Sequence, residues 1–185
     1  MPDAAASPKA EPIATLSGNE PLFIVFNAGS GSDDAAETRR KIEQRLDEAG
    51  RAYTIFTVDR PKHLPQIAEM AVARARQANG VVVAVGGDGT LNAVAATVLP
   101  TGLPFGILPR GTFNYFGRTY GISRETDEAV ASLLDARIEP VQVGLLDGRP
   151  FLVNASLGLY PQLLEDREAY KQMLGRRRWG ALLSA

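Results

Sequence analysis

The sequence predicts an α/β fold built on a parallel sheet, and three observations support that prediction. Short apolar runs alternate with segments of helical periodicity between residues 21 and 139. Three of these runs end in turns rich in glycine, serine, threonine and asparagine, and a helical segment follows each turn. Strands and helices that alternate at this spacing are typical of right-handed crossovers in a parallel sheet.

The elements follow in order along the chain. Residues 1–20, rich in alanine, proline, serine and glutamate, predict a flexible tail. Apolar runs predict strands at 22–26, 53–58, 81–85 and 105–108. The 81–85 run, VVVAV, is the strongest of these because it is mostly β-branched. Helices are expected at about 34–49, 65–78, 91–99 and 126–134, with a short one that ends near Tyr120.

The pattern changes after residue 139. Two apolar segments flank Asp147-Gly148, which is a common two-residue hairpin turn. An antiparallel hairpin at this point predicts the start of a β-rich second domain. We therefore expect a tail at 1–20, an α/β domain at 21–139 and an incomplete β-sandwich with a helical segment at 140–185.

Composition excludes several classes of protein. The chain has 185 residues, of which 45% are hydrophobic and 22% charged, and its net charge is −1. These values exclude collagen and wholesale disorder, and they argue against a surface that binds nucleic acid throughout. With no cysteine, the chain has neither disulfides nor thiolate metal sites. No apolar run approaches a membrane span and no secretory signal is recognisable, so we expect a cytoplasmic protein.

The sharpest candidate site is the GGDGT loop at 86–90, directly after the strongest strand. Such loops emerge at the carboxyl edge of a parallel sheet, where helix N-termini attract phosphate. Glycine allows the backbone to approach an anion closely, and Thr90 can donate a hydrogen bond to it. Asp88 would bind Mg²⁺ or orient a hydroxyl group. The alternative is a tight turn in which Asp88 caps a helix and has no further role.

Two other loops are predicted at the same edge. In NAGSGS, at 27–32, Asn27 and Ser30 could bind phosphate or ribose oxygens. In GTFN, at 111–114, Thr112 could contact phosphate and Asn114 could brace neighbouring loops. Each loop is a weak signal alone, and the three in order on one edge are a stronger one. The chain lacks GxxxxGK[ST] and has no GxGxxG after its first strand, so neither common phosphate motif applies.

These residues resemble the catalytic domain of diacylglycerol kinases, a family that includes bacterial lipid kinases and is related to sphingosine and ceramide kinases. GGDGT resembles the family's nucleotide-binding motif, and NAGSG at 27–31 stands where the family has an Asn-Pro-x-Ser-Gly loop. GTFNYFGR at 111–118 resembles its Gly-Thr-x-Asn-Asp element, and NASLG at 154–158 resembles the start of its second domain. The resemblance extends from about Pro21 to the end.

The resemblance implies a Rossmann-like nucleotide-binding domain and transfer of the γ-phosphate of ATP, with Mg²⁺, to the hydroxyl of diacylglycerol or a similar lipid. It implies a catalytic and metal-binding role for Asp88. The loops and the resemblance together predict the following nucleotide-binding residues: Asn27, Ser30, Gly31, Thr57, Gly86, Gly87, Asp88, Gly89, Thr90, Leu91, Asn92, Ala93, Gly111, Thr112 and Asn114.

The chain also departs from the family pattern. Ala28 replaces a common proline, Ala93 stands where many members have glutamate, and Tyr115 replaces a frequent aspartate. The chain is shorter than family members and lacks the region with their catalytic acidic residue. We therefore expect a fragment that binds nucleotide weakly and turns over little substrate.

Two alternatives stay open. One is a kinase of the NAD kinase type or another kinase with a small soluble acceptor, and the other is a non-catalytic nucleotide-binding module. The expected partners are ATP and a lipid, with no nucleic acid. A chain that ends within a β-domain exposes strand edges, which would favour homo-oligomers.

Two segments invite a membrane interpretation. The basic run Arg176-Arg177-Arg178-Trp179 would suit peripheral contact with the inner face of a membrane, although a solvated helix face is the favoured interpretation. The aromatic residues Phe113, Tyr115 and Phe116 are predicted to belong to the core rather than to a lipid pocket.

Overall fold

A computed structural model describes residues 16–29 and 35–154, and it contains the predicted parallel sheet. Four strands lie in the order β2-β1-β3-β4, and every neighbouring pair is parallel. The strands are β1 (Leu22–Asn27), β2 (Tyr53–Val58), β3 (Val81–Gly86) and β4 (Phe105–Pro109). The helices are α1 (Ala35–Glu48), α2 (Leu64–Ala78), α3 (Asp88–Val98), α4 (Tyr115–Thr119) and α5 (Thr126–Leu134), and 3-10 turns cover Pro61–His63 and Leu99–Thr101.

Helices bury both faces of the sheet. Because successive residues of a strand point to opposite faces, Val82 and Ala84 of β3 pack with α2 and α3. Val83 and Val85 pack on the other side with α1 and α5. The central strands β1 and β3 are apolar almost throughout, which is the pattern of strands covered on both faces. The predicted α/β fold class is confirmed.

Local signals in the sequence account for the element bounds. The YTIFTV run is β2 without change, and α2 begins one residue before its predicted start. Helix α2 ends where Asn79 adopts a positive φ of 50°. Gly80 follows, and a Cβ there would lie 2.5 Å from the Phe23 ring, so no side chain fits. The last residues of the GGDGT loop belong to the first turn of α3, which begins at Asp88.

The predicted hairpin is also present. Strands β5 (Gly144–Leu146) and β6 (Arg149–Phe151) pair antiparallel. Asp147 and Gly148 between them have φ values of 48° and 72°, as a type I′ turn requires. The contacts divide the chain into the units Met1–Val153 and Asn154–Ala185, and the hairpin lies in the first. The domain boundary at 139 and 140 stays a prediction.

Several predicted features lie outside the described residues. They are Ser30, Gly31, the start of the first helix at Asp34, most of the N-terminal tail, and the basic C-terminal run. Within residues 16–29 and 35–154, no helix is long and apolar enough to cross a bilayer.

Candidate functional site

The three predicted loops leave the sheet side by side. Strands β1, β3 and β4 are consecutive in the sheet order, and all run in the same direction. Their last residues, Asn27, Gly86 and Pro109, therefore end at one carboxyl edge. In open α/β sheets this edge is the usual position of the ligand crevice.

The first loop is bound to the GGDGT loop through side chains. The Asn27 amide nitrogen donates to Thr90 Oγ1 at 2.8 Å, and Asn27 Oδ1 accepts the Gly29 N–H at 3.1 Å. Thr90 is buried, and a Cβ on Gly86 would lie 2.6 Å from the Thr90 Cβ. The Thr90 hydroxyl thus accepts a bond from the first loop, and its own hydrogen is available to an acceptor.

The second and third loops touch through glycines. A Cβ on Gly111 would lie 2.8 Å from Gly87 Cα and 2.7 Å from Asn114 Oδ1. Asn114 has a positive φ of 50°, and its Oδ1 accepts the Gly111 N–H at 2.6 Å. Asn114 is fully buried, and within the described part of the chain its Nδ2 has no hydrogen-bond partner. Asn114 therefore braces its own loop and presents an unused donor.

Asp88 joins the GGDGT loop to α4. Its Oδ2 accepts the Tyr115 N–H and its Oδ1 accepts the Phe116 N–H, each at 3.2 Å. Asp88 is thus the first residue of α3 and also caps the start of a different helix, 27 residues further along the chain. The alternative in which Asp88 caps the helix that follows it is wrong, because Gly87 is the N-cap of α3 and the Asp88 carboxylate binds the start of α4 instead.

The start of α3 offers main-chain donors. The Thr90 and Leu91 amides donate to Gly87 O at 2.8 and 3.0 Å. The amides of Asp88 and Gly89 precede these bonds, and no acceptor for them is found among the described residues. Gly89 is exposed, and a Cβ built on it would meet no atom within 4 Å. Open space therefore lies beside two helix N-terminal amides, which together favour an anion.

The other predicted site residues differ in their exposure and in their contacts. Thr57 lies at the end of β2, and its Oγ1 accepts a bond from Arg39 at 3.1 Å. Thr112 is exposed in the third loop. Leu91 is fully buried and Ala93 packs against the same core, so only their main chains could reach a ligand.

Asn92 is occupied by the hairpin. Its side-chain amide donates to Pro150 O at 3.3 Å, and its Oδ1 accepts the Leu152 N–H at 3.0 Å. Both bonds connect α3 to β6 and the residue that follows it. The side chain of Asn92 therefore positions the hairpin in this structure.

Sequence reasoning gave no role to Arg110, which lies at the centre of this edge. It is 6% exposed, and its guanidinium donates to Asn27 O at 3.1 Å and lies 5.2 Å from the centroid of the Phe26 ring. Its main-chain N–H donates to Gly86 O at 2.8 Å. Arg110 therefore contacts all three loops or the strands that lead into them. The sequence does single out Arg110 in one way, because it is the first charged residue after Asp88.

The core prediction for the aromatic residues was partly wrong. Phe116 is buried, but Phe113 is 60% and Tyr115 49% exposed. Their rings stack with centroids 5.4 Å apart and an angle of 3° between planes. Phe113 lies in the loop before α4, and Tyr115 begins this short helix, which buries Phe116 and Gly117.

The described residues contain no group of three His, Cys, Asp or Glu side chains that could hold a metal ion. Asp88 is the acidic residue that the GGDGT loop brings to this edge. A metal at this site would thus depend on few protein carboxylates, which is the usual arrangement for Mg²⁺ bound with phosphate oxygens.

The chain is similar to known proteins of one family. The sequence pattern of the diacylglycerol kinase catalytic domain matches residues 21–146. A diacylglycerol kinase of Staphylococcus haemolyticus is 30% identical over 142 residues, which are 76% of this chain and 42% of that protein. A diacylglycerol kinase of Bacillus subtilis is 29% identical over 161 residues, 83% of this chain and 51% of that protein.

A solved structure has the same fold. The crystal structure of a diacylglycerol kinase from Bacillus anthracis matches with a TM-score of 0.63 and 25% identity over 72% of this chain and 46% of that chain. The chain therefore spans about half or less of the length of these relatives.

Proposed function

Since the chain belongs to the diacylglycerol kinase catalytic-domain family, we propose that it forms the nucleotide-binding part of an ATP-dependent lipid kinase. The acceptor is the hydroxyl of diacylglycerol or a similar lipid, as in the relatives' names. The observation that supports this best is the convergence of three polar loops at one sheet edge. The first and second are joined by the Asn27–Thr90 bond, and the second and third meet at Gly87 and Gly111.

The residues at this edge fit a polyphosphate. The amides of Asp88 and Gly89 border open space, and the positive end of the α3 dipole adds to their attraction for an anion. The Thr90 hydroxyl hydrogen and the Nδ2 group of Asn114 are further donors. The close approach of Gly87 and Gly111 keeps side chains away from the space between the loops.

Phosphoryl transfer depends on positioning and on stabilisation of charge as it develops on the phosphate oxygens. The main-chain amides of the GGDGT loop supply fixed dipoles for that purpose. The buried guanidinium of Arg110, which contacts the first loop, contributes a positive charge in a region of low solvent access. These groups orient the phosphates and lower the cost of charge build-up.

Asp88 would hold Mg²⁺ together with the phosphate oxygens of the nucleotide, and the ion would neutralise phosphate charge during transfer. Both Asp88 oxygens accept amide bonds from α4, and each retains capacity for a second partner. We therefore assign Asp88 to the positioning of phosphate rather than to proton abstraction from the acceptor. The nucleotide-binding roles of the remaining predicted residues, including Thr57 and Thr112, belong to the same proposal.

The test is calorimetry of ATP binding, with and without Mg²⁺, for Asp88→Asn and Asp88→Ala beside the native chain. Asparagine keeps one of the two acceptors for the α4 amides, so its stability should fall by less than the roughly 1 kcal/mol expected for alanine. Both variants should lose the Mg²⁺-dependent part of ATP binding. Asp135→Asn, an exposed site at the end of α5, is the matched control.

Two outcomes would contradict the assignment. If Asp88→Asn binds Mg²⁺-ATP like the native chain, Asp88 is a helix cap alone. If the folded native chain does not bind ATP, the loops do not form a nucleotide site in this chain. Transfer of labelled phosphate to dioleoylglycerol, compared with transfer to NAD, then separates a lipid kinase from a kinase with a soluble acceptor.

A further inference from the structure

A polar contact between α1 and β2 lies at the same carboxyl edge as the three loops. Thr57 is the second-last residue of β2, and Arg39 Nη1 donates to its Oγ1 at 3.1 Å. Arg39 Nε donates to Glu43 Oε1 at 2.8 Å, one turn further along α1. Strand β2 is parallel to β1, so this contact lies beside the end of the strand that leads into the first loop.

The contact differs from the packing around it. Because successive residues of a strand point to opposite faces, Tyr53, Ile55 and Thr57 share the face that α1 covers. Ile42 of α1 is fully buried on that side of the sheet, and Arg39 precedes it by three residues. An apolar row on both elements therefore ends in a polar pair at the carboxyl edge. Packing of α1 on the sheet does not require a guanidinium or a hydroxyl at these two positions.

Both groups of the pair present donors to a ligand. A threonine hydroxyl has one hydrogen and accepts through its lone pairs. Since Arg39 donates to Thr57 Oγ1, the hydroxyl hydrogen points away from the guanidinium, and no acceptor for it is found within residues 16–29 and 35–154. The guanidinium has further N–H groups beyond those bound to Thr57 and Glu43. The pair therefore fits a ligand oxygen that accepts a hydrogen bond.

The position of the pair along the edge indicates which part of a nucleotide it would meet. The sheet order places β2 beside β1, on the side away from β3 and its GGDGT loop. Neighbouring strands lie about 5 Å apart, so the end of β2 is roughly 10 Å from the end of β3. A nucleotide with its phosphates at the start of α3 reaches that far with its ribose. Because Glu43 offsets the charge of Arg39, a neutral ribose oxygen fits the pair better than a further phosphate.

We propose that Arg39 is a positioning residue that orients the Thr57 hydroxyl toward the 2′ oxygen of the nucleotide's ribose. The hydroxyl donates to that oxygen, and the guanidinium prevents the hydroxyl hydrogen from turning back toward α1. The pair thereby favours ribonucleotides over 2′-deoxyribonucleotides. In dinucleotide-binding sheets, a residue after the second strand likewise contacts the ribose hydroxyl. The inference rests on the proposed function, because it assigns a further contact within the same nucleotide site.

Calorimetry with the Mg²⁺ complexes of ATP and 2′-deoxyATP tests this on the full 185-residue chain. The native chain should bind ATP about fivefold more tightly, since 2′-deoxyATP lacks the oxygen that accepts the bond. Arg39→Gln and Thr57→Val should each remove most of this difference, through weaker binding of ATP alone. The double variant should match the single variants, because the two residues act on one contact.

Matched variants separate this role from a structural one. Each ratio compares two nucleotides on the same protein, so a change in the folded fraction cancels. Thr57→Ser keeps the hydroxyl and should keep most of the discrimination. Arg40→Gln removes an exposed positive charge at the next position of α1 and should leave the ratio at its native value. If Arg39 only held α1 against β2, its replacement would weaken both nucleotides equally.

Two results would overturn the inference alone. They are ATP binding by the native chain with equal affinity for 2′-deoxyATP, and a native ratio in Arg39→Gln, whether or not both affinities fall. Binding of neither nucleotide by the folded native chain would overturn the proposed function and this inference with it. Because the first two results require ATP to bind, the two failures are distinguishable.

Discussion

The strand interiors of the sheet and the loops at its carboxyl edge are built in different ways. Within β3, residues Val81 to Val85 are all buried and apolar, and each packs against helices on one face or the other. At the carboxyl edge the residues are mostly glycines and polar side chains, and some of these side chains bond to residues far away in sequence. Asn27 and Thr90 are 63 residues apart, and Asp88 and Tyr115 are 27 apart.

Stability and ligand binding therefore depend on different parts of this molecule. Core contacts are non-directional, and many side chains share them, so the core tolerates changes that conserve volume. The edge depends on a few directional hydrogen bonds between loops, so the loss of one bond is not shared among many neighbouring contacts. Changes in the core should therefore alter stability without altering the site. Changes at the edge should alter ligand binding, either alone or together with stability.

The largest effect is expected in the core. Ile24 lies at the centre of β1, fully buried between Ile55 and Val83 of the neighbouring strands. Ile24→Ala should lower the free energy of unfolding by about 2–5 kcal/mol, because it removes buried methyl groups and leaves a cavity. Urea denaturation measures the loss. ATP affinity of the folded fraction should be unchanged, and a parallel loss of affinity would show that core and edge are not separable.

A smaller effect is expected where two loops touch. Gly111→Ala would put a methyl group against Gly87 Cα and Asn114 Oδ1, both within 3 Å. We expect a loss of about 1–3 kcal/mol in stability from overpacking and, in addition, weaker ATP binding. Gly106→Ala is the control, because its Cβ would meet the flexible Leu133 side chain in the core. If both variants keep native ATP affinity, the spacing of the loops is unimportant.

The core and the element bounds were predictable because their signals are local. VVVAV and YTIFTV are strands in any context that covers them, and Asp147-Gly148 specifies its own turn. The contacts of the site were less predictable, since Asp88 caps α4 through a pairing that no local pattern encodes. Phe113 and Tyr115 are expected in the core because large aromatic residues are mostly buried. Instead Phe113 lies exposed in the loop before α4, and the short helix buries Phe116 rather than Tyr115.

Arg110 belongs to both the core and the edge. It lies over the Phe26 ring of the core and donates to Asn27 O at the edge. Arg110→Met keeps the apolar stem but removes a charged hydrogen bond, so ATP affinity should fall about tenfold. Arg110→Lys, which keeps the charge without the planar fork, should recover part of that loss. Equal affinity for all three proteins in calorimetry would remove Arg110 from the site.

The smallest effect concerns Glu20, which precedes β1 and so lies at the amino end of that strand, away from the loop at its carboxyl end. Its carboxylate accepts the Ser17 N–H and also bonds to the Ser17 hydroxyl and the Gly18 N–H, and these bonds lower its pKa to about 2 from 4.5. A lowered pKa in the folded state stabilises the protein above pH 4.5, and this contribution is lost as pH falls toward 2. Thermal unfolding of Glu20→Gln should therefore show a shallower decline over that interval than the native chain. Identical profiles would assign the acid sensitivity to other groups.

If the start of α3 binds phosphate, Gly89→Ala should weaken that binding without disturbing the fold. The added methyl group would meet no protein atom within 4 Å, and alanine favours a helix over glycine by roughly 1 kcal/mol, so thermal stability should be equal or higher. The methyl group would nevertheless occupy the space beside the Asp88 and Gly89 amides. We predict that calorimetry will show at least about a tenfold loss of Mg²⁺-ATP affinity. Native affinity in this fully folded variant would show that the start of α3 does not bind the phosphates.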